Sequence, residues 1–364
     1  MLVTAVEARP LRSLDGVRVE LSAGIVCLVG PNGAGKTNLI EALYFGLTGR
    51  SFRTADRRDL IPFGGSLARA EVAIRDGDQI ERVLLASVSR TEGRRHLLDG
   101  SPASPASLSR ARPPVAVFSP DRLSLIKGPP SERRAHLDGF LAARWPARAE
   151  LRKRYGQVLA QRNALLARLA GGRAASGDLG IWDAALAEAA EPLISAREEA
   201  VGALARSFAQ TADDLGLEGP ATIEYVPRAS GTAAEIREGL AQRREQELRL
   251  GRSSWGPHLD ELKLSTSGRS LRRYGSQGQQ RVALLSLLFA ERDALLDTRR
   301  VTPLLLLDDV MSELDPSRRQ RLVERLELGG QALITAADEE SVPSAAMAKV
   351  VRMPPPASAE ALAA

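Results

Sequence analysis

The chain has 364 residues, of which 44% are apolar and 26% charged, with a formal net charge of +5. This length accommodates more than one core, and mixed charge over an ordinary apolar fraction excludes wholesale disorder. One cysteine, Cys27, and three scattered histidines exclude an intrachain disulfide framework and give no support to a thiolate or histidine metal site.

No apolar run approaches the ~20 residues that span a bilayer. The N-terminus, MLVTAVEARPLRS, lacks the charged-then-apolar order of a signal peptide. A soluble, cytoplasmic protein is expected. The positive charge is nearly all arginine. Either the gene is GC-rich, or the chain meets a polyanion, since arginine forks pair well with phosphate.

Residues 2–8, 17–21 and 25–29 read as strands, the third a continuous apolar run as in a buried strand. A Gly-rich turn follows, then a helix over about 38–47. Segments 70–74, 80–88 and 94–98 read as antiparallel strands, 101–114 as a Ser/Pro-rich loop and 115–118 as a short strand. From 131 to about 250 the pattern turns helical. Pro146 is expected to open a helix running to about 170. The stretch 171–180 is a flexible turn, and a second long helix covers 181–215. The pair forms an antiparallel hairpin. A strand is expected at 221–226 and a helix at 233–250. Residues 262–264 begin a return to α/β texture, with a strong helix at 277–296, an apolar central parallel strand at 304–307 and a strand at 332–335. The simplest account is one α/β head domain, 1–130 with 251–353, carrying an inserted helical arm at 131–250 and a disordered tail at 354–364.

GPNGAGKT at 30–37 fits the phosphate-binding pattern G-x-x-x-x-G-K-[ST], with a strand before it and a helix after it. Gly30, Gly33 and Gly35 let the backbone turn around a phosphate, while Pro31, Asn32, Ala34 and Asn38 complete the loop and helix start. Lys36 can reach the β- and γ-phosphates, and Thr37 can hold Mg²⁺. LLLLDD at 304–309 is a buried strand ending in acid, where Asp308 would share the Mg²⁺ site. Asp309 stands where a catalytic carboxylate polarises the attacking water. SQGQQR at 276–281 opens a helix, with Ser276 as N-cap, Gly278 allowing close approach and Gln279 following. Such a helix N-terminus favours an anion. SELD at 312–315 places Ser312 and Asp315 just after the acidic pair.

In this order the segments resemble the phosphate loop, signature, acidic strand and D-loop of ABC-type ATPases. That implies an α/β P-loop ATPase head that sandwiches ATP between two copies, the signature acting in trans. Ser276 lies 240 positions after Lys36, too far for a transporter subunit and too near for the long-armed SMC-type proteins.

At finer grain the chain resembles the RecF family. The resemblance rests on GPNGAGKTNLIEALYFGLTGRSFR (30–53), VFSPDRLSLIKGPPSERRAHLDGFL (117–141), QRNALL (161–166), WDAALA (182–187), GPHLDEL (256–262), YGSQGQQR (274–281) and LLLLDDVMSELD (304–315), in family order. It implies a protein that binds and slowly hydrolyses ATP with Mg²⁺, forms an ATP-dependent homodimer, binds duplex and junction DNA, and works with RecO and RecR to load RecA. Some positions depart from the pattern. The usual Asn-Phe-Arg is Pro-Leu-Arg here, ending in Arg12, which would contact nucleotide. Leu259 replaces a frequent arginine. No glutamine occupies a Q-loop position, where segment 118–121 sits, and Thr335 stands in place of a switch histidine. Both absences suggest weak hydrolysis.

Arg50, Arg53, Arg57 and Arg58 follow the phosphate-loop helix and are candidate DNA contacts or a solvated face. Arg133, Arg134, Arg152, Lys153 and Arg154 read as the charged outer face of arm helices, and Trp182 as a packing anchor. Two other readings stay open: an ABC ATPase driving a protein machine or transporter, and a structural adaptor with ATP as a fixed cofactor.

Overall fold

A computed structural model describes residues 1–172, 179–344, 346 and 349–354. The chain divides into two compact units, Met1–Arg122 with Leu295–Ala364, and Leu123–Ala294. The second unit therefore extends past 250, the expected end of the arm, to 294. The disordered tail expected at 354–364 lies outside the described residues from 355 onward, as do residues 173–178 of the expected turn.

The first unit is built on two sheets. One contains strands β1 (Leu2–Ala8), β2 (Val17–Glu20), β4 (Leu67–Arg75), β5 (Glu81–Ser89), β6 (Gly93–Leu98) and β7 (Ser101–Pro102), antiparallel in the order β2-β1-β4-β5-β6-β7. The other is parallel and contains β3 (Gly24–Val29), β8 (Val115–Phe118), β12 (Leu304–Leu307), β13 (Gln331–Ala336) and β14 (Val350–Arg352), in the order β14-β3-β13-β12-β8. β12 is leucine throughout and buried at every position, as an internal parallel strand covered on both faces demands.

Helix α1 (Lys36–Thr48) contacts β1, β4 and β5 of one sheet and β13 of the other. From Leu39 to Leu47 it is buried except at Tyr44, which explains why that stretch is apolar apart from Glu41. Gly46 permits the close approach: a Cβ there would lie 2.5 Å from Val72 Cγ2. Gln331 ties the sheets directly. Its Oε1 accepts the Val3 N–H at 2.9 Å, and its Nε2 donates to the Val3 and Ser22 carbonyls. Helix α11 (Pro316–Glu327) joins β12 to β13.

The expected loop at 101–114 is instead β7 followed by helix α2 (Pro105–Ala111). Ser104 Oγ accepts the Ser107 N–H, and Pro105 sits in the first turn, where a missing N–H costs nothing. The Ser-Pro pair was a helix start rather than a loop signal.

The second unit holds α3 (Ser124–Lys127), α4 (Pro130–Arg144), α5 (Leu151–Ala170), α6 (Leu179–Asp214), α7 (Ala233–Gln242), α8 (Arg244–Leu250), α9 (Leu271–Tyr274) and most of α10 (Gln277–Arg299). β9 (Ala221–Val226), β10 (Glu261–Thr266) and β11 (Arg269–Ser270) form a small antiparallel sheet. The pairing of β9 with β10 draws the chain beyond 250 into this unit. α5 packs on α6, whose 36 residues span about 54 Å. Pro146 opens only a 3₁₀ turn, Pro146–Arg148, and the helix proper begins at Leu151. The helix expected over 233–250 breaks at Arg243, whose N–H bonds back three residues to Leu240 and closes α7.

Buried charge in this unit is matched. Arg162, wholly buried, meets Asp183 at 2.8 Å and Glu247 at 2.6 Å and donates to Ser253 Oγ at 2.7 Å. Arg197 grips Asp138 with two arms and reaches Asp260 at 2.9 Å, which also accepts from Tyr225 and from the Arg228 N–H.

Candidate functional site

β3 delivers the chain into the phosphate-loop motif and α1 carries it away. Gly33 and Gly35 adopt φ of 86° and 89°, the left-handed region in which a side chain would be strained. Gly30 also needs its lack of a side chain, since a Cβ would lie 2.8 Å from the Met353 carbonyl. Lys36 turns back over the loop and donates to the Gly30 and Pro31 carbonyls. Burial lowers its pKa, opposed by Asp309 and Asp308.

The acidic strand arrives at the same place. Thr37 Oγ1 donates to Asp308 Oδ1 at 3.0 Å, although 271 residues separate them. Asp308 is 5% exposed, and burial raises its pKa above the usual carboxylate range. Thr335 at the end of β13 donates to the same Oδ1 at 3.0 Å and accepts the Asp309 N–H at 2.7 Å. Asp309 itself sits at φ 52°, uncommon for a residue with a side chain, and holds its carboxylate beside that of Asp308. Thr335, marked in the sequence only as the residue replacing a histidine, thus bridges both acidic positions. The Asp308 N–H donates to the Phe118 carbonyl, so segment 118–121 begins at this site. Ser119 there is 2% exposed, and its Oγ has no hydrogen-bond partner among the described residues.

Glu41, wholly buried on α1, is a site residue the sequence reading missed. Arg12 binds it bidentately at 2.9 and 3.0 Å, and this hydrogen bonding raises the Arg12 pKa. Ser51 donates to it as well, and Arg53 reaches both Glu41 and Asn38 Oδ1. Asn38 Nδ2 in turn donates to Ser13 at 2.8 Å. A lone glutamate inside an apolar helix was the available signal. Arg58 is paired with Asp56. Of the four post-loop arginines, the Arg50 and Arg57 side chains have no such partner among the described residues.

The signature segment heads α10 on the second unit. Ser276 Oγ accepts the Gln279 N–H at 3.2 Å, while Gln279 Oε1 accepts the Ser276 N–H at 2.9 Å, a reciprocal capping box. Ser276 is exposed and Gly278 lies in the first turn. After β12, Ser312 donates to the Asp309 carbonyl and Asp315 caps α11 by accepting the Arg318 N–H. Both are exposed. Cys27 is buried in β3, its thiol pushed up to about 11 by burial, as befits an inert core residue. Among the described residues, no group of three or more His, Cys, Asp or Glu is placed to hold a metal by itself, and no helix is long and apolar enough to cross a membrane.

A family described as RecF/RecN/SMC N terminal domain matches residues 2–357. The chain is 35% identical to the DNA replication and repair protein RecF of Heliobacterium modesticaldum, covering 90% of each. It is 36% identical to the protein of the same name from Streptomyces avermitilis, covering 94% of this chain and 95% of the relative. A solved structure described as the recombination mediator protein RecF with ATP, in the RecFOR pathway, superimposes with a TM-score of 0.84 at 26% identity. It covers 94% of this chain and 93% of its own. With a family model matching nearly the whole chain and relatives 35–36% identical almost end to end, the chain belongs to the RecF family.

Proposed function

We propose that this chain is an ATP-switched, DNA-binding protein of replication and recombinational repair that closes into a homodimer around ATP. The Thr37–Asp308 contact carries the reading. It joins the hydroxyl of the phosphate loop to the buried acid of the central sheet, the pair that holds the metal in P-loop ATPases. Mg²⁺ fits there. Burial raises the proton affinity of Asp308, and a divalent cation would offset that cost. A site with one carboxylate and one hydroxyl suits a cation that keeps waters and shares phosphate oxygens.

Mg-ATP supplies a hydrolysable phosphoanhydride. The residues of the chain do the rest. Loop N–H groups and Lys36 neutralise phosphate charge. Thr37 and Asp308 would hold the metal. Asp309 orients the attacking water, its backbone set by Thr335. Aspartate is shorter than glutamate, and threonine cannot act as a histidine would, so turnover is slow and ATP works as a switch. Arg12, locked on Glu41, keeps the helix start rigid beside the nucleotide. The exposed Ser276, with Gly278 and Gln279, would meet the γ-phosphate held by a second copy, and Ser312 and Asp315 would face the partner. The solved RecF structure's description as part of the RecFOR pathway supports a role with RecO and RecR; serving RecA belongs to the same proposal.

Two variants test this. Lys36→Met is expected to sediment as a monomer with Mg-ATP and to lose ATP-dependent duplex binding. Ser276→Arg is expected to bind ATP as a monomer and fail to dimerise. An ATP-dependent dimer in either variant, or duplex binding by wild type that ignores nucleotide, would return the transporter-type or protein-machine reading to first place.

A further inference from the structure

Four arginines of the first unit come from four separate segments and gather near the C-terminal end of α1. Arg50 follows the Gly49 cap of α1, and Arg57 opens the 3₁₀ turn Arg57–Leu60. Arg94 lies on β6, and Arg112 follows α2. His96, two residues beyond Arg94, shares its face of β6. The ring lies so close to Gly49 that a Cβ there would be 1.9 Å from its Nε2, and that nitrogen is buried with no hydrogen-bond partner.

Four other arginines of this unit are paired. Arg12 and Arg53 have Glu41, Arg58 has Asp56, and Arg95 has Glu92. The guanidinium groups of Arg50, Arg57, Arg94 and Arg112 have neither a hydrogen-bonded nor an ion-paired partner among the described residues. They act instead on one another. Burial depresses the Arg57 pKa, and Arg94 and Arg50 add to it. Burial also depresses that of Arg112, with Arg50 and Arg299 acting in the same direction. His96 is depressed by burial, then by Arg94 and Arg57. No carboxylate opposes any of the three.

Like charges held close cost folding free energy, more so where Arg57 and Arg112 are partly buried, and Tyr44 alone acts against the shift at Arg112. An anion would offset that cost. Arginine forks match phosphate oxygens bidentately, and four of them from separate segments suit consecutive phosphates on a backbone rather than a single small ion.

We propose that Arg50, Arg57, Arg94 and Arg112, floored by His96, form a seat for backbone phosphates of duplex DNA, while Arg53 and Arg58 serve the fold. This rests on the DNA-binding reading above and deepens it by naming the surface. Contacts of this kind position the duplex and read no sequence.

The test uses the full chain with Mg-ATP and a labelled duplex titrated at several salt concentrations. Arg57→Gln/Arg94→Gln removes two phosphate contacts. The log–log salt slope should become shallower by about 1.8, and affinity at 0.1 M salt should fall roughly tenfold to a hundredfold. Arg57→Lys/Arg94→Lys should keep most of the slope. The melting temperature of the Gln variant should be unchanged or higher, because repulsion is relieved; a lower one accompanying the affinity loss would mark a structural role and overturn the seat. An unchanged slope would overturn it too. If a polyglutamate peptide, and not duplex, distinguishes wild type from the Gln variant, the seat takes an acidic protein segment and the proposal falls. If wild type fails to bind duplex in every nucleotide state, the DNA-binding reading itself fails, an outcome distinct from a lost slope in the variant alone.

Discussion

Both units pair buried charge, as Glu41 with Arg12 and Arg53 in the first shows, but the first also carries charge that is not matched. In the second, Arg162 and Arg197 are almost wholly buried, and each meets two carboxylates. In the first, the Asp308 and Asp309 carboxylates act on each other with Lys36 and Arg53 near, and four arginines gather with no paired carboxylate among the described residues. Matched charge closes a core and gives it one arrangement. Unmatched charge raises the free energy of the chain alone and is relieved by a ligand of opposite sign. The first pattern marks architecture and the second marks sites.

Three substitutions, read by urea unfolding without nucleotide, put that contrast at risk. The largest effect is expected from Arg162→Met, which strands Asp183 and Glu247 in the core of the arm and should cost about 3–5 kcal/mol. A loss under about 1 kcal/mol would mean water reaches these acids and the network is not architectural. Next comes Tyr225→Phe, which removes one donor from Asp260 and leaves Arg197 and the Arg228 N–H. A hydrogen bond to a charged group is worth about 1.5–3 kcal/mol, so a loss in that range is expected.

The smallest effect, with the opposite sign, belongs to Asp308→Asn. Burial raises the Asp308 pKa, so the folded chain holds that proton more tightly than the unfolded one. The favourable contribution is fully present below the ordinary carboxylate pKa and is lost as pH rises through the raised value. At neutral pH the ionised group is therefore a burden, and Asn should leave the midpoint unchanged or higher while abolishing Mg-ATP binding. The gain over wild type should shrink as pH falls toward the carboxylate range. A clear destabilisation at neutral pH would place Asp308 with the matched charges of the arm.

Local sequence determined the strands and helices wherever burial and periodicity agreed. Leu304–Leu307 reads as an internal parallel strand and is one, and the glycines of 30–37 form the tight turn their spacing predicts, because each is a property of a few consecutive residues. The signature helix was legible for the same reason, since Ser276 and Gln279 cap it from within one turn. Errors fell where the decision was not local. Ser101–Pro114 looked like a loop until Ser104 capped α2, and residues beyond 250 joined the arm unit because β10 pairs with β9, 35 residues or more upstream. Tertiary structure alone decided which charges are satisfied. Thr335 reached the acidic pair across a strand, Glu41 claimed Arg12 and Arg53, and Arg94 and Arg112 joined Arg50 and Arg57 from remote segments. A linear sequence lists charges but not their neighbours, and electrostatic energy depends on separation in space and on burial.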